Sequence, residues 1–262
     1  MLNRQFEFSQ EFLNACFNHL RNNPTSLFRI DPFRVHFAQE RLDKALSQSS
    51  RQLKAHCRED TEDMIGNTIR HNVESLNPRI AAYRPMGLMG PLLAMDQVMR
   101  KMSDTKILII GPRTEQEILW YIGMGFNSNN ITGLDLFTYS DYIQTGDMHH
   151  LDFEDNSFDI IIFSWVLGYS TSQRKAVAEA VRCVKPNGLV GIGEQWDPTP
   201  VEVISQQMSK NAGYSLEGTV TTSCQQLIDL FDVSVKPRFI NEPIDSMKDG
   251  VGHISVIVEV MK

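Results

Sequence analysis

Lys106–Phe126 reads KILIIGPRTEQEILWYIGMGF, and its grammar decides the fold. An apolar run from Ile107 to Ile110 is bounded by Gly111-Pro112, the pattern of a buried parallel strand that ends in a turn. Glu115–Met124 then places apolar residues at helical spacing. Downstream the alternation repeats. Ile131–Leu136, Phe158–Ser164 and Leu189–Glu194 read as strands, and Gln173–Val184, closed by Pro186-Asn187-Gly188, reads as a helix. Thr222–Phe231 is a further helix, with strands at Val233–Phe239 and His253–Met261. Strands alternating with helices predict an α/β, Rossmann-like, doubly wound and mostly parallel sheet. The last two strands lie close enough in sequence for one to run antiparallel at or beside the sheet edge.

Upstream of this unit the pattern is helical. Phe6, Phe12, Leu13, Cys16, Phe17 and Leu20 mark one helix, stopped by Asn22-Asn23-Pro24, and Phe33–Leu53 marks a second. Thr61–Leu76 offers a third, the Gly/Pro/Met-rich Pro85–Pro91 stretch breaks the pattern, and a short helix spans about Leu92–Met102. The expected division is a helical extension or lid over 1–102 and a Rossmann-like domain over 103–262.

The net charge of −7, with no dense Lys/Arg run, argues against nucleic acid as a partner. The apolar runs are too short to span a bilayer. The scattered cysteines Cys16, Cys57, Cys183 and Cys224 form neither a metal knuckle nor a redox pair. Together with an N-terminus unlike a signal peptide, they predict a reduced, cytoplasmic protein without a metal. A homodimer stays open.

In sheets of this kind ligands bind outside the carboxyl ends of the strands, where strand order reverses. That rule selects Gly111, Asp135 with Leu136, the Gly146-Asp147-Met148-His149 turn, Ser164-Trp165, and Glu194 with Trp196. Gly111 permits a tight turn and close ligand approach. Asp135, about two dozen residues further on, is where an acid accepts hydrogen bonds from ribose hydroxyls. Asp147 suits an exocyclic amine, with the Met148 backbone reading a ring edge.

The Lys106–Phe126 segment is followed by ITGLDLFTYS (Ile131–Ser140), GDMHHLDFEDNSFDIIIFSWVLGYS (Gly146–Ser170) and EAVRCVKPNGLVGIGE (Glu179–Glu194). Together they resemble the successive motifs of class I S-adenosylmethionine-dependent methyltransferases. The resemblance implies that S-adenosylmethionine is bound and S-adenosylhomocysteine released. It places Gly111 on the methionine and ribose side, Asp135 at the ribose, and Asp147 and Met148 at the adenine. Ser164 and Trp165 would then lie beside the transferred methyl. Two departures stand out: the glycine-rich loop is Gly111-Pro112-Arg113-Thr114-Glu115, and the usual Pro-Gly-Gly turn is Pro186-Asn187-Gly188. Arg113 or Glu117 would then pair with the methionine carboxylate or amine.

The implied activity is methyl transfer to a small-molecule acceptor by in-line displacement. His149, His150 and Glu194 are the candidate bases, and Tyr83, Tyr139, Tyr169 and Trp196 the candidate acceptor contacts. Two alternatives stand beside it. One is a catalytically silent S-adenosylmethionine-binding protein with a regulatory or partner-docking role. The other is a nucleotide-dependent oxidoreductase, disfavoured because acidic residues at the helix start repel a pyrophosphate.

Overall fold

The computed structural model describes residues 8–47, 54–55, 86–196, 203, 206, 223–242 and 252–262. Strand β1 (Ile107–Ile110) is buried throughout, because helices cover both faces of its sheet. It pairs in parallel with β2 (Ile131–Asp135) on one side and β4 (Phe158–Ser164) on the other, Ile107 standing opposite both Ile131 and Ile160. Strand β3 (Ile143–Thr145) extends the sheet beyond β2, and β5 (Val184–Trp196) extends it beyond β4. The order across the seven strands is β3-β2-β1-β4-β5-β7-β6, with β6 Val235–Asn241 and β7 Gly252–Val260. β7 is antiparallel to both its neighbours, so the antiparallel strand is an interior one and β6 forms the edge. Strand order reverses between β1 and β4, so their carboxyl ends frame the crevice where this architecture binds ligands.

Side-chain alternation sorts the strands into two cores. Leu108, Ile110, Phe163 and Val190 face helices α6 (Gln173–Cys183) and α7 (Cys224–Ile228) through Ala176, Ala180, Cys224 and Leu227. Ile107, Ile109, Ile160 and Ile162 face α3 (Met86–Leu93) and α5 (Glu115–Met124) through Leu88, Met89, Leu92 and Ile118. α5 ends where Gly125 takes φ +112 in the left-handed cap position.

The Gly/Pro/Met-rich stretch, expected to interrupt structure, forms α3 instead, and a short α4 (Asp96–Met99) replaces most of the expected Leu92–Met102 helix. Pro91 sits inside α3 and removes a bond to the carbonyl of Gly87. The hydroxyl of Ser255 donates to that carbonyl at 3.4 Å, which offsets the loss.

α1 (Gln10–Asn22) leads through a short 3-10 turn to α2, described over Asp31–Ser47; the rest of the expected helix to Leu53 lies outside the described residues. α2 buries Arg34, Ala38 and Leu42, one per turn along one stripe, and packs along α5. Arg34 is fully buried with its guanidinium 4.0 Å from the Trp120 ring centroid. Its Nη1 donates to the Phe28 carbonyl and its Nη2 to Asp31. The described part of the extension therefore lies alongside α5, with Arg29 donating to the Gly123 carbonyl at 2.6 Å. The expected third helix, Thr61–Leu76, and the candidate acceptor contact Tyr83 fall outside the described residues. No helix among the described residues is long and apolar enough to cross a membrane.

Candidate active site

The site begins where β1 stops. Gly111 has φ +77, and a Cβ there would lie 2.7 Å from Val166 Cβ, so this position needs glycine for both its torsion and its space. Arg113, two residues on, also adopts the left-handed region at φ +53 without being glycine. Its backbone N–H donates to Asp135 Oδ2 at 3.0 Å, a charge-assisted bond that offsets the torsional cost. The turn thus keeps a glycine-like backbone at a position that carries arginine.

Asp135, at the end of β2, accepts a second bond on Oδ1 from the Leu136 N–H at 2.8 Å. Burial pushes its carboxyl up to about 6, against the lowering effect of the Arg113 and Leu136 amides. With Asp135 in the ribose-binding role expected of it, the hydroxyls would bond the ionised carboxylate best, so protonation would oppose binding. Affinity for an adenosyl ligand should therefore fall about tenfold between pH 7 and pH 5. Calorimetric titration across that range checks this, and Asp135→Asn, with no carboxyl to titrate, should flatten the slope.

The next turn is tied to the same strand. Gly146 N–H donates to the Asp135 carbonyl at 2.9 Å, and a Cβ on Gly146 would sit 2.6 Å from Leu134 Cδ1. Asp147 Oδ1 accepts from the His149 backbone N–H at 2.8 Å and meets His149 Nδ1 at 2.6 Å. His149 Nε2 lies 2.7 Å from Ser170 Oγ, which accepts from the Ser172 N–H. One tautomer satisfies this chain: Nδ1–H donates to Asp147, and Nε2 accepts from the Ser170 hydroxyl. Both ring nitrogens are engaged, so the imidazole bridges the loops after β3 and β4. His149→Ala should raise the KM for cofactor up to about thirtyfold, as two hydrogen bonds at roughly 1 kcal/mol each imply, with kcat little changed. A lowered kcat at unchanged KM would instead restore His149 as a base.

On the opposite side of the crevice Ser164 Oγ donates to Glu117 Oε2 at 2.6 Å, both residues being buried. Trp165 has φ +53, and its ring is packed against Gly87 and Gly193, edge-on to His253. Its backbone, not a free ring face, therefore borders the strand end. Glu194 Oε1 accepts from the Leu167 N–H at 2.8 Å and so holds the turn Leu167–Tyr169.

Of the residues expected to bind the cofactor, Gly111, Pro112, Arg113, Asp135, Leu136, Asp147, Met148, Ser164 and Trp165 lie on strand ends or in the turns that follow them, and Glu117 lies in the first turn of α5. The described aromatic residues expected at the acceptor stand in different surroundings. Tyr139 accepts the Glu115 N–H on its hydroxyl, and burial pushes that hydroxyl's pKa up. Trp196 is buried in the core with Phe163 and Leu167, and Tyr169 is half-buried on its turn. Tyr83 lies outside the described residues. Two members escaped the sequence reading. Ser170 bonds His149 across 21 positions, and Arg41 reaches Glu115 across 74, with no local signal for either.

Residues 115–192 match the family described as a methyltransferase domain. No curated protein matches the chain. Among solved structures, a proposed S-adenosylmethionine-dependent methyltransferase from Listeria monocytogenes is similar at 12% identity and a TM-score of 0.50, covering 69% of this chain and 100% of its own. The YcgJ protein from Bacillus subtilis is 14% identical over 66% of this chain and 99% of its own, with a TM-score of 0.47. A possible histamine N-methyltransferase from Thermotoga maritima is 14% identical over 77% of this chain and 98% of its own, also at 0.47. At such identities the likeness is one of fold.

Proposed function

We propose that this chain, which carries a class I S-adenosylmethionine-dependent methyltransferase domain, transfers a methyl group to a small-molecule acceptor by in-line displacement. The cofactor of that domain is S-adenosylmethionine, with S-adenosylhomocysteine as product. The observation that carries the reading is the bonding of Asp135 to both neighbouring turns, through its carboxylate to Arg113 and through its carbonyl to Gly146. That linkage holds an acidic acceptor between a close-approach glycine and a second acid, Asp147, as an adenosyl group requires.

When bound, the cofactor supplies a methyl group already activated by its sulfonium. The protein's task is then placement. Asp135 accepts the ribose hydroxyls, Asp147 and the Met148 backbone hold the adenine edge, and buried Glu117 with Ser164 faces the ammonium. Orientation of a near-attack geometry supplies up to about 7–11 kcal/mol of barrier lowering in such reactions. Tyr169, half-buried beside the crevice, is the aromatic residue we assign to acceptor contact. Proton removal, where an acceptor needs it, falls to Glu194, which would leave its hydrogen bond to the Leu167 N–H.

A pyrophosphate-binding oxidoreductase fits less well. The first amide of α5 already donates to the Tyr139 hydroxyl and so is taken from any pyrophosphate. Calorimetry with S-adenosylmethionine, S-adenosylhomocysteine and NAD tests the reading. Binding of the first two and not of NAD is expected, and binding of neither sulfur compound overturns it. Methyl-labelled cofactor incubated with a cell extract should mark the low-molecular-weight fraction. Label confined to protein or nucleic acid would overturn the small-molecule assignment.

A further inference from the structure

We propose that Arg41, on the N-terminal helix α2, is a positioning residue for cofactor binding that acts through Glu115. The inference rests on the functional reading above. Glu115 occupies the last place of the turn that follows β1 and the first place of α5, and its side chain is only 1% exposed. Arg41 meets it with a two-pronged fork, Nε to Oε2 at 2.5 Å and Nη2 to Oε1 at 2.9 Å. The Ser140 hydroxyl donates to Oε1 at 2.5 Å, and the Glu115 N–H donates to Tyr139. Three segments distant in sequence, α2, the turn after β1 and the Tyr139-Ser140 loop after β2, thus meet on one carboxylate.

That carboxylate has a cost in this place. A buried charge without a partner is expensive, and it stands beside the helix start to which the cofactor brings its own carboxylate. Like charges there oppose binding. Arg41 cancels the charge, and its planar fork fixes the orientation of the group, which a lysine's single ammonium does not. The helical extension, packed along α5, is thereby part of the cofactor site. Arg41 itself stays 41% exposed, so its removal opens a rim and leaves the core intact.

Three variants test this: Arg41→Ala, Arg41→Lys, and Arg41→Ala combined with Glu115→Gln. Each is titrated calorimetrically with S-adenosylmethionine, and its Tm is recorded in the absence of ligand. R41A should weaken binding about tenfold or more, and R41K by less. The double variant should recover most of the affinity, because a neutral amide needs no counter-charge, whether or not Tm recovers. Wild-type affinity in R41A overturns the inference, as does a double variant that binds as poorly as R41A. If R41A does not fold, the R41K and double-variant affinities decide. Absence of binding in the wild-type chain would instead remove the functional reading, and this inference with it.

Discussion

Asp135→Ala is expected to lower affinity for S-adenosylmethionine about a hundredfold, since charged hydrogen bonds contribute roughly 1.5–3 kcal/mol each. In the proposed placement, two ribose hydroxyls share that carboxylate and would lose both bonds at once. The stability of the free protein should respond differently. The folded carboxyl titrates near 6, above its unfolded value, so the native state binds the extra proton between about pH 4 and pH 6. Stability from this group is present at low pH and is lost as pH rises through that window. At neutral pH the ionised Asp135 is therefore a burden on the ligand-free fold, and removing it relieves that burden while unpairing the Arg113 and Leu136 amides. The two effects oppose, so Tm in the absence of ligand should move little while affinity collapses. A hundredfold loss with a large fall in Tm would point to a folding role, and unchanged affinity would move the ribose elsewhere.

Gly111→Ala should be the more damaging change to the fold. A side chain at φ +77 costs about 1–2 kcal/mol, and a methyl at 2.7 Å from Val166 Cβ adds roughly 1–3 kcal/mol of overpacking. A combined penalty near 3 kcal/mol lowers Tm by about 6–12 °C in a chain of this size. Cofactor binding should be lost with it, because the turn can relieve the clash only by moving away from β4. Adding Val166→Ala removes the contacts to its two γ-carbons but keeps the 2.7 Å contact to Cβ and the torsional strain, so the double variant should regain only a small part of the Tm. A G111A protein as stable as the parent would show that the turn is softer than its contacts imply.

The fold was legible wherever burial and local pattern agree. Ile107–Ile110 is apolar at every position because both faces are covered, and its reading as a buried parallel strand needs nothing more. What failed to announce itself was structure specified from a distance. Strand β3 has three residues and buries only Ile143 fully, too little for periodicity to register. Helix α3 contains two glycines and Pro91 yet folds, because Leu88, Met89 and Leu92 are buried against the sheet and Ser255 bonds the carbonyl that Pro91 cannot serve. The Pro186-Asn187-Gly188 segment, read as the close of a helix, lies within β5, where Asn187 takes φ +60. For the site, residues on strand ends were readable by position. The partners that hold them, Arg41 and Ser170, come from elements whose approach only the tertiary fold determines.

The interior placement of β7 has a consequence for how the protein is made. Residues 252–260 pair with β5 from Leu189 to Trp196 on one side and with β6 on the other. While the ribosome is still short of them, β5 offers an open edge of unpaired amides and carbonyls to any neighbouring chain. The sheet closes in a single late event, when an antiparallel strand is inserted between two that preceded it. Stalled synthesis or proteolytic loss just before Gly252 should thus yield aggregating chains, not a smaller stable domain.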